Sequence, residues 1–280
     1  MIIFDISTLA YNTLHQLKDE ELSEQLLRHG MMLKIGYILQ DLKSKGYIDK
    51  NIVIACDSRG NWRKEIFPQY KMSRRISRDR SDIDWNLFYN SLNVIFDEME
   101  NELPFKVIKI ERAEADDIIA VLSKVDERTI IVSSDKDFRQ LCSDKIKLYN
   151  PNTNEFINEE YSLFEHILRG DKEDGIPNIL SPLDVFEKGE RQTTLTKKMK
   201  ESFHEYEFNL SNCPLYTDEI NERIEMNRKL IDLKFIPKDI KDEIINTYND
   251  KKINKMKKYF RYLVKHRLTK IMELGVFNGL

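Results

Sequence analysis

The chain has 280 residues, of which 41% are hydrophobic and 33% charged, with a formal net charge of -3. That length accommodates a sizeable α/β core plus a smaller second region, and the near-neutral sum means that any attraction to a polyanion must come from local clustering of charge. Cys56, Cys142 and Cys213 are widely spaced and form no CxxC pair, which argues against a disulfide framework and a zinc site; no cationic leader and no apolar run of about 18 residues point to a signal peptide or a membrane span, so a cytoplasmic protein is expected.

In chain order, short β-branched runs alternate with long amphipathic stretches, the pattern of βαβ units and a mostly parallel sheet in an α/β fold. Strands are expected at residues 2–4, 51–56, 105–110 and 129–133, and helices at residues 21–44, 85–102 and 115–124. Gly46 closes the first long helix. From Glu159 onward strand signals fade, and Gly170, Gly175 and Pro177 mark a tight connection between helices. Residues 188–200 (KGERQTTLTKKMK) are polar and basic and read as a mobile loop. Two domains are expected, over residues 1–158 and 159–280.

Three of the four expected strands run into an acid: Asp5, Asp57 and Asp135. In a parallel sheet those ends lie on one edge, where open α/β folds bind ligands. After the remaining strand, Glu114, Asp116 and Asp117 gather at a helix start; Asp137 follows Asp135 by two residues, and Asp171 and Asp174 add a pair at spacing i, i+3. Singly, these residues read as helix-dipole acids or turn formers. Together they repel, since two carboxylates about 4 Å apart cost roughly 4 kcal/mol at an effective dielectric of 20. A bound cation is the economical explanation. No histidine falls inside these motifs, and an all-oxygen donor set suits Mg²⁺ or Mn²⁺. Two such ions can activate water and stabilise a leaving oxygen at phosphorus.

Residues 59–80 hold eight cations (Arg59, Arg63, Lys64, Lys71, Arg74, Arg75, Arg78 and Arg80) against Glu65 and Asp79, a guide for a phosphate backbone. Trp62, Phe67 and Tyr70 interleave with them and can either stack on bases or pack internally. A second basic stretch, residues 251–270, carries nine Lys or Arg and no acid. Its Tyr259, Phe260, Tyr262, Leu263 and Leu268 read as a buried stripe, which leaves Lys257, Lys258 and Arg261 for duplex phosphates. A phosphate-binding NTPase is excluded because no GxxxxGK loop followed by Ser or Thr exists.

The run from Cys56-Asp57 through Trp62-Arg63 to Tyr70-Lys71, with Glu114-Ala-Asp116-Asp117, Ser-Ser-Asp135-Lys-Asp137 and Gly170-Asp-Lys-Glu-Asp174-Gly-Ile-Pro, resembles the flap endonuclease and 5′-3′ exonuclease family, most of all its phage branch of ribonuclease H type. The likeness covers nearly the whole chain. It implies a PIN-like sheet with flanking helices, an arch at about residues 59–84, and a C-terminal helical region that grips duplex through a helical hairpin. By motif, Asp5, Asp57, Glu114, Asp116 and Asp135 would surround a first Mg²⁺. Asp137, Asp171 and Asp174 would serve a second, with Asp117 in support. Lys71 and Arg74 match the arch cations at the scissile phosphate. The implied substrates are DNA and RNA:DNA hybrid with a free 5′ end, such as RNA primers and short flaps. The implied protein partners are a single-strand DNA-binding protein or sliding clamp, met by a monomer in the cytoplasm. Asn178 replaces the family's usual glycine after Gly-Ile-Pro, which bears on whether a potassium ion binds the hairpin. A PIN-type single-strand ribonuclease would share the strand-end acids but needs no duplex grip. A non-catalytic DNA-binding protein needs no acid in every motif.

Overall fold

The computed structural model describes residues 1–17, 20–47, 49–207, 209–252 and 256–275, and of Met256 and Lys257 only the backbone. Among these, β1 (Ile2–Asp5), β2 (Ile52–Cys56), β3 (Lys106–Lys109), β4 (Thr129–Val132), β5 (Ile146–Asn150) and β6 (Glu155–Ile157) form one sheet in the order β3-β2-β1-β4-β5-β6. All neighbours are parallel except β5 and β6. Phe4 in β1 stands opposite Ile54 on one side and Val132 on the other. β1, β2 and β4 are buried along their whole length, as their unbroken apolar runs require.

The four expected strands are present, with no end shifted by more than one residue. β5 and β6 were not anticipated: Ile-Lys-Leu-Tyr-Asn mixes one exposed lysine into a short run, and β6 is three residues long, below the length at which alternation is readable. The helix Ile6–Gln16 also goes unread, because it follows β1 without a connecting residue. The next helix begins at Glu24, later than the expected Glu21, since Ser23 caps it by accepting the Leu26 N–H. Gly46 takes a φ of 82°, the left-handed conformation that ends this helix.

The chain forms two compact units. The first comprises Met1–Gly60, Asp84–Glu159 and Pro237–Leu280, the second Asn61–Ile83 and Glu160–Ile236. These units are discontinuous, unlike the two consecutive segments expected from sequence: residues 61–83 group with 160–236, and residues 237–280 with the sheet. The cause is packing. Helix Lys238–Asp250 lies against Ala115–Leu122 and β3, while Met256–Lys265 and Thr269–Leu274 lie against Trp85–Glu102 and Glu24–Ser44. Tyr259, Tyr262, Leu263 and Leu268 are buried there as expected, but Phe260 is 45% exposed, because its position on the helix turns it away from that stripe. Arg28 clamps Glu98 with Nε at 2.6 Å and Nη2 at 2.9 Å, and Tyr262 donates to the same carboxylate at 3.1 Å, tying helix Met256–Lys265 into this unit. Among the described residues, no helix is long and apolar enough to cross a membrane.

In the second unit, Phe67 and Tyr70 pack with Phe164, Ile167, Leu168 and Ile176, so these two aromatics are core residues. The segment expected to be a loop at 188–200 is partly helical. Thr196 caps a helix that starts at Lys197, and before it Gln192 accepts the Asn178 N–H at 2.7 Å while Thr193 donates its N–H to Ser181 Oγ at 2.9 Å. The Gly170–Pro177 connection closes through paired bonds between Asp171 and Ile176, at 2.9 and 2.7 Å.

Gly170 has a φ of 67°, and a Cβ there would stand 2.4 Å from the Ile176 carbonyl oxygen; Gly175, with a φ of 74°, has its nearest neighbour at 3.5 Å. The two glycines share a backbone region but not a steric one. Gly170→Ala should lose more than the ~1–3 kcal/mol of backbone strain, and Gly175→Ala should stay within that range. Urea unfolding of the two variants distinguishes them, and equal losses would contradict the packing described here.

Candidate active site

Asp5 ends β1 and caps the helix Ile6–Gln16, its Oδ1 accepting the Thr8 N–H at 3.3 Å. Its Oδ2 accepts two hydroxyls, Thr8 Oγ1 at 2.5 Å and Ser133 Oγ at 2.7 Å. Asp57 follows the last residue of β2. It accepts Ser7 Oγ at 2.6 Å and the Ala115 N–H at 2.9 Å, which brings the helix start bearing Glu114 and Asp116 to the end of β2. On the other side of β1, Ser133 Oγ accepts the Asp135 N–H at 3.0 Å, and Asp135 Oδ1 accepts the Asp137 N–H at 2.8 Å. Because β2, β1 and β4 are parallel neighbours, their acids share one edge.

Asp5 is 4% exposed, and burial pushes its carboxyl up to about 6; the hydrogen bonds from Thr8 and Ser133 act against this, and the charges of Asp57 and Asp135 reinforce it. Asp117 behaves differently. It is fully buried and accepts the Glu114 N–H at 3.0 Å, so it shapes the helix start that presents Glu114 and Asp116. Cys56, beside Asp57, is fully buried and its thiol is pushed up by that burial, so it offers no thiolate.

The remaining acids belong to the second unit. Asp171 Oδ1 accepts the N–H groups of Glu173 at 2.8 Å and Asp174 at 3.1 Å, while Oδ2 faces His166 Nε2 at 3.2 Å. Burial works to raise this carboxyl, but the bonds from His166 and the backbone hold it below the usual range. His166 is itself pinned by Tyr161 at 2.7 Å. It escapes sequence reasoning because Gly170 ends the helix between it and Asp171, leaving no periodicity to link them.

Asp174 is gripped by the base of the expected arch. Tyr70 donates to its Oδ2 at 2.8 Å, Lys71 Nζ lies 3.5 Å from the same oxygen, and Arg74 Nη2 lies 2.5 Å from Oδ1. Lys71 occupies the left-handed region with a φ of 57°, held there as its N–H donates to the Asp174 carbonyl at 2.7 Å just before helix Met72–Asp79. Such a conformation is uncommon for a residue with a Cβ and persists where surrounding bonds over-determine it.

The other expected DNA-binding cations divide. Arg59 and Arg75 are exposed. Arg63 is only 2% exposed, stacks on Trp62 at 4.5 Å and donates to the Leu230 carbonyl at 3.0 Å, so it is a packing residue and not a phosphate contact. Lys258 and Arg261 are exposed, with Lys258 reaching the Asn101 carbonyl at 3.1 Å; the side chain of Lys257 lies outside the described residues.

A mostly parallel sheet with acids along the end of its central strands is the architecture of a PIN-like nuclease. Residues 1–167 match the family model of the 5′-3′ exonuclease N-terminal resolvase-like domain, and residues 158–275 match that of the T4 RNase H C-terminal domain. The chain belongs to the 5′-3′ exonuclease family. It is 30% identical over 286 residues to the ribonuclease H of Enterobacteria phage T4, covering 96% of this chain and 92% of that protein. It is 32% identical over 186 residues to a 5′-3′ exonuclease of Buchnera aphidicola subsp. Schizaphis graminum, covering 61% of each. A flap endonuclease of bacteriophage T5, solved as a pseudo-enzyme-product complex with DNA and metal ions, superposes with a TM-score of 0.62 at 18% identity, covering 89% of this chain and 99% of that one, and shares its fold.

Arg63→Ala should cost about 1–3 kcal/mol of stability by stranding the buried groups it satisfies. The salt dependence of duplex binding should not change, because no phosphate contact is lost. Unaltered urea unfolding with a flatter salt dependence would return Arg63 to the nucleic-acid interface.

Proposed function

We propose that this nuclease is metal-dependent and removes RNA primers and short DNA flaps from 5′ ends by hydrolysing phosphodiester bonds. The observation that carries the reading is the acidic edge: Asp5, Asp57 and Asp135 close three adjacent parallel strands, and Asp5 is pushed up to about 6 by burial and by its two neighbours. The donors suit a hard divalent cation. Asp5 and Asp57 take their hydrogen bonds from hydroxyls and backbone N–H groups, which satisfy lone pairs without cancelling charge. We assign Mg²⁺ as the ion, with Mn²⁺ able to substitute. Asp5, Asp57, Glu114, Asp116 and Asp135 would hold one ion; the motifs that carry Asp137, Asp171 and Asp174, and those motifs alone, assign these acids to a second. When bound, such ions supply a water of lowered pKa and offset charge on the phosphate.

The chain's own groups supply the rest. Ser7 Oγ and the Ala115 N–H hold Asp57 against the helix start. Lys71 and Arg74 are assigned to the reacting phosphate by the motif they occupy, where a fixed cation is worth most if it meets charge that builds in the transition state. Exposed Arg59, Arg75, Lys258 and Arg261 would neutralise backbone phosphates. The family names ribonuclease H and 5′-3′ exonuclease support both the RNA:DNA substrate and the polarity.

Chelation with EDTA should abolish cleavage, and added Mg²⁺ should restore it. Asp116→Asn or Asp135→Asn should lower the single-turnover rate on the order of 10²-fold or more while leaving flap affinity intact. Full cleavage in EDTA would remove the metal from the mechanism, and an unchanged rate would remove that residue from the site. For polarity, a 5′-labelled flap duplex should release short labelled products first, and a 3′-labelled one should shorten gradually. Early short products from the 3′ label would show the opposite direction.

A further inference from the structure

We propose that Thr8 and Ser133 are positioning residues for the metal centre: their hydroxyls fix the Asp5 carboxylate so that its Oδ1 is the oxygen offered to a divalent cation, and Ser133 sets Asp135 in the same arrangement. The inference rests on the metal-dependent reading above.

A carboxylate oxygen has two lone pairs. On Asp5, Oδ2 receives two short hydroxyl bonds, from Thr8 at 2.5 Å and Ser133 at 2.7 Å, whereas Oδ1 receives one long bond from the Thr8 N–H at 3.3 Å. Oδ2 is therefore saturated and Oδ1 keeps a lone pair for a cation. Helix capping does not explain this arrangement. An N-cap needs one side-chain oxygen facing a first-turn N–H, which Oδ1 already provides; the two hydroxyls gather on the other oxygen.

Ser133 has a second duty. It is fully buried, its single proton goes to Asp5, and its Oγ accepts the Asp135 N–H at 3.0 Å. One hydroxyl thus links the acid that ends β1 to the backbone of the acid that follows β4, with Thr8 Oγ1 3.3 Å from the same oxygen. Neither residue has a charge, and Ser133 enters the Ser-Ser-Asp135 run only as a neutral neighbour of its acid. Groups of this kind, which orient ligands without touching the ion, typically change metal affinity by about 10–100-fold when removed.

The experiment measures Mn²⁺ affinity by the loss of the free-ion EPR signal, on wild type, Thr8→Val, Thr8→Ser, Ser133→Ala and Ser123→Ala, beside the Mg²⁺ concentration giving half-maximal cleavage. Ser123 is a control: it is a buried hydroxyl of the same unit, bonded to its own helix at the Ala120 carbonyl. Thr8→Val and Ser133→Ala should each weaken Mn²⁺ binding by about tenfold or more and raise the Mg²⁺ requirement in parallel, with the cleavage rate recovering at high Mg²⁺. Thr8→Ser, which keeps the hydroxyl, should stay near wild type, as should Ser123→Ala. Wild-type affinity in both Thr8→Val and Ser133→Ala overturns the inference and leaves the metal reading standing. An equal loss in Ser123→Ala overturns it by showing general loosening. A wild type that binds no Mn²⁺ overturns the metal reading itself, and the inference with it.

Discussion

Neighbouring strands of a parallel sheet run about 4.8 Å apart, so acids that end adjacent strands stand within strong electrostatic reach of one another. Here that spacing applies to β2, β1 and β4, with Asp5 between Asp57 and Asp135. The crowding is sustained by neutral donors. Ser7, Thr8, Ser133 and the Ala115 N–H satisfy oxygens of Asp5 and Asp57 and leave their negative charge in place. Burial of Asp5 makes that charge more costly still, which is why its carboxyl is displaced to about 6. An arrangement that solvates acids without neutralising them is what the proposed cation would require.

The second unit treats its acids in another way. Asp174 is met by Lys71 and Arg74 directly, and Asp171 by His166 with two backbone N–H groups. Asp174 is thus balanced by cations of its own unit, and the bond from the Lys71 N–H to the Asp174 carbonyl holds Lys71 in a left-handed conformation it would not otherwise favour. The contrast separates two kinds of acid that look alike in a motif: those whose hydrogen bonds come from neutral groups, and those already paired with cations.

Much of the first kind was legible from sequence, because Ile-Ile-Phe-Asp5 and Val-Ile-Ala-Cys-Asp57 announce a buried strand and its end in a single run of letters. The positions of Glu114 and Asp116 followed from the same logic. Less legible were features that depend on long-range packing. Arg63 reads as one cation among eight, and only the fold shows it buried against Leu230. Residues 237–280 read as part of a helical half, yet their helices dock on the sheet-bearing unit through Tyr262 and Glu98. Phe260 and its buried neighbours share a composition and differ only in helical phase. Thr8 and Ser133 carry no charge, and although Ser133 opens the Ser-Ser-Asp135 run, its letter alone does not distinguish it from an ordinary loop hydroxyl, nor Thr8 from an ordinary capping one.

The central claim, that the end of β1, β2 and β4 is a metal centre, is tested most directly by anomalous scattering from Mn²⁺-soaked crystals of protein that cleaves a flap substrate. The account predicts anomalous peaks at that edge, with carboxylate oxygens of Asp5, Asp57 or Asp135 at roughly 2.0–2.2 Å, the range expected for a small octahedral divalent cation. Peaks confined to other parts of the molecule, in crystals of active protein at saturating Mn²⁺, would contradict it.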